Sequence, residues 1–406
     1  MEIIMTNVAI LGFGVVGGGV ARLITENYKE VTSLGGDEIN IKYILDLRDF
    51  PDSPFADRVV HDFDIIASDP EVDTVIEVMG GSHPAYEYTV RALESGKNVI
   101  TSNKEVVANF GDEFMALAEK NGVCYCFEAS VGGGIPVISP IISCVRQNKI
   151  TEVRGILNGT TNYILTKMFS FGDGFEESLA DAQAKGYAER NPDADILGTD
   201  ACRKIAILTS LVTGELIPCE NIHTEGITKI RKEDVVASAK VGLKIKLLGR
   251  CILTEGGAHV MVAPFMLPES SPLSSVSGVY NAVEVVGEPI GNVMFYGQGA
   301  GAGATASAVV GDLMQIMRSG TAAIRPVMKK SSDRLLPFSD FESRSYVAIV
   351  GGCKNCVKDA FGEVQFIDAD GECAFITGNM SESGTAAAMD KLKSKGIEIK
   401  SRIRLI

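Results

Sequence analysis

Val8-Ala-Ile-Leu-Gly12-Phe-Gly14-Val-Val-Gly17 is the stretch that decides the fold. A short apolar strand runs into three glycines spaced Gly-x-Gly-x-x-Gly, and these open an amphipathic helix reaching about Asn27. The first glycine permits a tight turn, the second a close approach of pyrophosphate to the backbone, and the third close packing of helix on strand. The helix N-terminus adds unpaired N–H groups and positive potential. Gly12, Phe13, Gly14, Val15, Val16 and Gly17 are therefore read as a dinucleotide-binding loop rather than a phosphate-free structural turn. A second strand, Ile39 to Leu45, ends at Asp46-Leu-Arg48. Asp46 suits a ribose 2′-hydroxyl, as in NAD, and Arg48 a 2′-phosphate, as in NADP, so the choice of cofactor stays open.

Outward from this unit, strand and helix keep alternating. Val72 to Met79, Asn98 to Thr101 and Val123 to Glu128 read as strands. One helix starts with Ser82 as N-cap and Pro84 in its first turn, and another runs from about Lys104 to Asn121. The alternation predicts an α/β fold, a Rossmann doubly wound parallel sheet over residues 1–130. Two strand ends fall on its carboxyl edge. Glu77-Val-Met-Gly80-Gly81 offers glycines for close contact with a nicotinamide. Thr101-Ser-Asn103-Lys104 offers Lys104, a point charge for a phosphate or carboxylate, or simply an exposed lysine at a helix start.

Residues 131–320 have another texture: helical patterns at Pro136 to Arg146, Tyr163 to Phe169, Phe175 to Lys185 and Asp200 to Thr213, then strand-like Lys246 to Leu253, His259 to Phe265 and Gly278 to Val286. They read as an α+β substrate domain with an open antiparallel sheet that mediates self-association. A second glycine-rich loop, Gly297 to Gly303, precedes a small-residue helix through Met317. Residues 321–340, with Lys329-Lys-Ser-Ser-Asp-Arg334, read as a linker, and 341–406 as β-α-β-β-α-β, a ferredoxin-like unit.

The 406 residues are 46 % hydrophobic and 22 % charged, enough for large cores. With 38 basic against 52 acidic side chains the net charge is −14, which disfavours nucleic acid and anionic membranes as partners and leaves small molecules. Apolar runs stop short of the roughly 18–20 residues of a membrane span. The start lacks the basic and apolar regions of an export signal, so a cytoplasmic location with reduced thiols is expected for the nine cysteines. Cys353-Lys-Asn-Cys356 has no second ligand pair and the four histidines lack metal spacing, so packing is preferred over zinc or redox use. Glu128-Ala-Ser-Val131-Gly-Gly133-Gly-Ile135 is a glycine-rich turn, a hinge or cap whose carbonyls could also bind a hard cation.

The densest constellation runs from Gly186-Tyr-Ala-Glu189 through Asp195 to Gly198-Thr-Asp200-Ala-Cys-Arg-Lys204. Asp200 and Lys204 stand one helical turn apart, acid first; on a surface such a pair contributes only about 0.2–0.5 kcal/mol. Here Ala201, Ile205, Ile207, Leu208, Leu211 and Val212 make the helix apolar over most of its girth, hence buried. Desolvation lowers a lysine pKa and the carboxylate opposes that, so Lys204 is read as a proton donor and acceptor beside a hydride transfer.

Together, the glycine-rich start, Thr101–Lys104, Glu128–Ile135, Gly155-Ile-Leu-Asn-Gly-Thr-Thr-Asn-Tyr-Ile-Leu165, Gly186–Glu189 and Gly198–Lys204 resemble homoserine dehydrogenase, collinearly over about residues 5–320. The resemblance implies NAD(P)-dependent interconversion of L-aspartate 4-semialdehyde and L-homoserine in threonine, methionine and isoleucine biosynthesis. It implies Lys204 as proton donor, Asp200 and Glu189 as substrate holders, and Lys104 between cofactor and substrate. Gly186 and Gly301 would approach the cofactor. A sodium ion would bind through oxygens of Glu128, Val131, Gly133 and Ile135, and the second domain would build a homodimer or tetramer. Residues 341–406 resemble a divergent ACT domain whose first loop, Gly351–Cys356, lacks the Pro-Gly pattern of amino-acid binders. Asn191 and Ala304 stand where the family commonly has an acid and a proline. The alternatives are a related Rossmann oxidoreductase acting on another amino acid or semialdehyde, and a non-catalytic amino-acid sensor.

Overall fold

The computed structural model describes residues 5–36, 38–320, 326–330, 334–351, 354–369 and 372–406. Contacts divide the chain into two compact units. One comprises Met1–Lys149, Ala206–Cys219 and Gly297–Ser332, and the other Ile150–Ile205, Glu220–Tyr296 and Asp333–Ile406.

The first unit is built on a sheet of β1 (Met5–Leu11), β2 (Glu38–Leu45), β3 (Val59–Val60), β4 (Thr74–Glu77), β5 (Asn98–Thr101) and β6 (Tyr125–Cys126). Its order is β3-β2-β1-β4-β5-β6 and every pairing is parallel, the doubly wound arrangement the alternation predicts. Val8, Ala9, Ile10 and Leu11 of β1 are fully buried, as befits a central parallel strand covered on both faces. Helices Val15–Glu26 and Ala302–Ser319 pack closely: a Cβ on Gly19 would lie 3.1 Å from the Ala302 carbonyl oxygen.

Local expectations fail here where a stronger partner competes. Ser82 does not cap a helix; its hydroxyl donates to the Glu105 carboxylate (2.8 Å), and the helix runs Ala85–Glu94 with Pro84 at the cap position. A charged acceptor outweighs a capping backbone N–H. The helix expected from Pro136 to Arg146 shrinks to one turn at Ile138–Pro140 and then widens at Ile141–Val145, where the Arg146 N–H reaches the Ile141 carbonyl (2.8 Å). Pro140 has no N–H to give the Pro136 carbonyl, so the first turn forms at Ile138 instead of Pro136.

The second unit holds β7 (Lys149–Ile156), β8 (His223–Thr224), β9 (Leu243–Thr254), β10 (Gly257–Pro268), β11 (Tyr280–Glu288) and β12 (Gly291–Gln298). It continues with β13 (Glu342–Ser343), β14 (Ser345–Val350), β15 (Gln365–Ala369), β16 (Glu372–Ile376), β17 (Met380–Ser381) and β18 (Glu398–Leu405). The main sheet runs β12-β11-β7-β9-β10-β18-β14-β16-β15. It is mixed rather than purely antiparallel, because the last strand joins β10 in parallel, Phe265 opposite Arg404 and Met266 opposite Leu405. From β14 onward the order is strand, helix, strand, strand, helix, strand, with helices Lys354–Phe361 and Glu382–Ser394. In the stretch read as a linker, the Leu336 N–H and Arg334 carbonyl pair with Ala258; residues 321–325 and 331–333 lie outside the described residues. Cys353 also lies outside them, so the Cys353/Cys356 pair is not described. Among the described residues no helix is long and apolar enough to cross a membrane.

Candidate active site

In the first unit the three glycines divide the labour their spacing requires. Gly12 adopts a left-handed φ of +92°. A Cβ on Gly17 would sit 2.0 Å from the Gly12 carbonyl oxygen, so only glycine lets the helix pack there. Around Gly14 there is open space, and Val15 beside it is 74 % exposed although apolar. A dinucleotide pyrophosphate fits that opening, facing the first turn of Val15–Glu26.

Beyond β2, the two residues read as competing cofactor signals form one ion pair. Asp46 accepts from the Phe13 N–H (2.8 Å) and from Arg48 through Nε (3.0 Å) and Nη2 (3.1 Å). The Arg48 bond, helped by the Phe13 N–H, holds the Asp46 carboxyl down to about 2. Both line a cavity of about 350 Å³ with Gly12, His61, Met79 and Tyr88. Gly80 is exposed at the end of β4, and Lys104 is half-buried as the first residue of helix Lys104–Asn121, capped by the Asn103 side chain on the Glu105 N–H (3.2 Å).

The structure brings together two glycine-rich loops that lie far apart in sequence. A Cβ on Gly133 would be 2.6 Å from the Gly299 carbonyl, and one on Gly134 would be 2.9 Å from Ala304 Cβ. Gly301, at φ +125°, opens the helix Ala302–Ser319 beside them. Glu128 governs this corner: its carboxylate accepts the N–H groups of Val137 (2.6 Å), Ile138 (2.7 Å) and Ser139 (2.7 Å), and its own N–H donates to Asp312 (2.9 Å). The Glu128 side chain is therefore committed to a helix start, while the carbonyls of buried Val131, Gly133 and Ile135 accept no hydrogen bond among the described contacts. That donor set, neutral oxygens on a tight turn, fits a hard cation. No group of three or more histidine, cysteine or acidic side chains stands ready for a metal among the described residues.

In the second unit Lys204 is 8 % exposed and donates to Asp200 Oδ2 (2.8 Å) and to the Leu157 carbonyl (2.7 Å). Asn158, which sequence reasoning left unassigned, organises the cluster. Its amide donates to Asp195 (2.7 Å) and Asp200 (3.0 Å), and its side-chain oxygen caps helix Gly159–Phe171 at the Thr161 N–H (2.9 Å). Burial pushes the Asp195 carboxyl up; the Asn158 amide opposes this and the charge of Asp200 adds to it. An asparagine just ahead of a helix was the visible signal for Asn158. Glu189 and Gly186 lie on an exposed turn held to that helix by the Thr160 hydroxyl on the Tyr187 carbonyl (2.6 Å). No described hydrogen bond joins the Glu189 carboxylate to Lys204.

The chain matches two family models, the homoserine dehydrogenase NAD-binding domain over residues 12–128 and homoserine dehydrogenase over residues 136–314. The homoserine dehydrogenase of Synechocystis sp. is 35 % identical over 435 residues, covering 98 % of this chain and 99 % of that one. A homoserine dehydrogenase crystal structure from Thiobacillus denitrificans superposes with a TM-score of 0.90 at 32 % identity, covering 100 % of this chain and 99 % of that one. A hyperthermophilic archaeal homoserine dehydrogenase mutant in complex with NADPH covers 77 % of this chain and 97 % of its own, with a TM-score of 0.66 at 29 % identity. An NAD(P)-dependent oxidoreductase is what these motifs, this fold and these relatives have in common, and the chain belongs to the homoserine dehydrogenase family.

Proposed function

We propose that the chain interconverts L-aspartate 4-semialdehyde and L-homoserine, with Lys204 giving the carbonyl oxygen its proton in the reducing direction. The bound nicotinamide supplies or takes the hydride. The observation that carries this reading is the Lys204 ammonium, two of whose three N–H groups are spent on Asp200 and Leu157 while the third has no described acceptor. Asp200 stabilises the charged acid and Asn158 stops Asp200 from turning, so the proton is presented in one direction. In reduction the aldehyde carbon gains the hydride and its oxygen takes the Lys204 proton; in oxidation the hydroxyl returns that proton to the amine.

Glu189 is proposed to receive the substrate ammonium and Lys104 an anionic group at the crevice. What supports a sodium ion at Glu128–Ile135 is the set of three undonated loop carbonyls. Self-association through the second unit's sheet is supported by edge strand β12, which exposes Met294 and Tyr296 and stacks Tyr296 on Tyr280 at 5.2 Å. An ACT-like role for the C-terminal region is supported by its strand order β18-β14-β16-β15.

The test follows reduced-nicotinamide absorbance with L-aspartate 4-semialdehyde, NADPH and NADH in parallel. Turnover with at least one cofactor is expected, and their ratio sets the preference at the Asp46–Arg48 pair. A folded protein that oxidises neither in the presence of the semialdehyde would overturn the reading.

A further inference from the structure

Glu77 is the last residue of β4 and is fully buried, a costly place for a carboxylate. Its partner across the parallel ladder is Thr101, the last residue of β5. The Thr101 hydroxyl donates to Glu77 Oε2 (2.6 Å) and the Met79 N–H donates to Glu77 Oε1 (2.8 Å). The same hydroxyl accepts the Asn103 N–H (2.9 Å), and the Asn103 amide donates to the Gly81 carbonyl (2.7 Å). The circuit closes on itself and joins the Val78–Gly81 turn to the Thr101–Lys104 turn. On its other side Val78 and Met79 meet the phosphate loop: a Cβ on Gly12 would lie 3.0 Å from Met79 Cγ and 3.3 Å from the Val78 carbonyl oxygen.

We propose that Glu77 is a positioning residue for cofactor binding, locking together the turns that follow β4 and β5 and the loop that follows β1. The proposal rests on the assignment of the crevice at those strand ends to NAD(P). Its chemical core is polarity. A carboxylate accepts at both oxygens, so the one Thr101 proton points to Glu77 and the hydroxyl lone pairs face the Asn103 N–H. A carboxamide in its place has one accepting and one donating end. With its oxygen toward Thr101, its NH₂ meets the Met79 N–H; turned over, it leaves the Thr101 proton without an acceptor. Either orientation breaks one link without changing shape. Burial pushes the Glu77 carboxyl up to about 7 against the bonds from Thr101 and Met79, so the two-acceptor form on which the circuit depends prevails above that value.

The test is titration of the full-length protein with NADPH and with NADH, together with steady-state kinetics, for Glu77→Gln, Thr101→Val, Thr101→Ser and the Glu77→Gln/Thr101→Val double variant. Glu77→Gln and Thr101→Val are expected to raise the cofactor Kd and KM about tenfold, with kcat at saturating cofactor falling less than about threefold. Thr101→Ser, which keeps the hydroxyl, should bind like the wild type, and the double variant should be no worse than the poorer single one because both act through one circuit. A Glu77→Gln protein that folds and binds cofactor within about twofold of wild type overturns the proposal. So does a Thr101→Val variant indistinguishable from Thr101→Ser. Gly14→Val separates this outcome from failure of the crevice assignment: unchanged cofactor affinity in that variant would unseat the crevice itself.

Discussion

Two lysines are buried in the second unit, and their surroundings differ in one respect. Lys204 follows Asp200 by one helical turn and shares its charge with a carboxylate. Lys246, on β9 and 4 % exposed, donates to the Asn162 side-chain oxygen (3.0 Å) and the Val276 carbonyl, both neutral. Burial drives its amine down to about 8, with the charge of Lys244 adding to the effect. By its pKa alone Lys246 would be taken for an acid–base catalyst, since proton transfer is favoured by a pKa near the working pH. Its neighbours say otherwise. Asn162 and Val276 seat it between helix Gly159–Phe171 and the segment before β11 with two neutral oxygens as partners, whereas Lys204 is paired with the Asp200 carboxylate, itself held by the Asn158 amide.

The comparison breaks most cleanly at Lys204. Lys204→Met should lower kcat about a thousandfold, within the 10²–10⁴ typical of a lost general acid. Cofactor affinity, read by titration with NADPH, should stay within twofold to threefold, about the scatter of such measurements. Turnover within tenfold of wild type would move the proton to another group. Asn158→Ala is the next largest. It lets Asp200 swing from Lys204 and should cost roughly 10- to 100-fold in kcat, the scale of a misplaced catalytic group. The lost cap should also cost about 1 kcal/mol in urea unfolding. A stability loss with unchanged kcat would reduce Asn158 to a cap.

What was legible in the sequence is what is local. Gly12, Gly14 and Gly17 each do their work within a few residues of one another, and Asp200–Lys204 announces itself by helical spacing. The alternation of short apolar strands with helices likewise carries five of the six parallel strands; β3, two residues long, is too short to show a period. The rest closes over long separations. Glu128 meets Asp312 across 184 residues, Lys246 meets Asn162 across 84, and Arg404 meets Glu225 across 179. Nothing near Glu128 says that its carboxylate will be taken by three N–H groups instead of a ligand. At Asp46 and Arg48, the two residues weighed as alternative cofactor signals bind each other, which leaves the choice between NAD and NADP open. The last strand belongs to the same class: pairing β18 beside β10 depends on the tertiary fold of both.

The smallest effect on activity, and the sharpest on the comparison, belongs to Lys246. Its amine has a pKa near 8 when folded and the usual value of 10.5 when unfolded. Between those values the unfolded chain holds a proton that the folded chain has released, so raising the pH favours the folded state. Below about 8 both states are charged and the burial penalty stands in full; above 10.5 both are neutral and it vanishes. From about pH 7.5 to about pH 9.5 this one group should add about 2 kcal/mol of stability, measured by urea unfolding. Lys246→Met keeps the aliphatic stem and removes the titration, so its unfolding free energy should lack that rise while kcat stays within about twofold. Parallel pH slopes in the two proteins would mean that the Lys246 amine stays charged in the fold, held by neutral oxygens as firmly as Lys204 is held by Asp200.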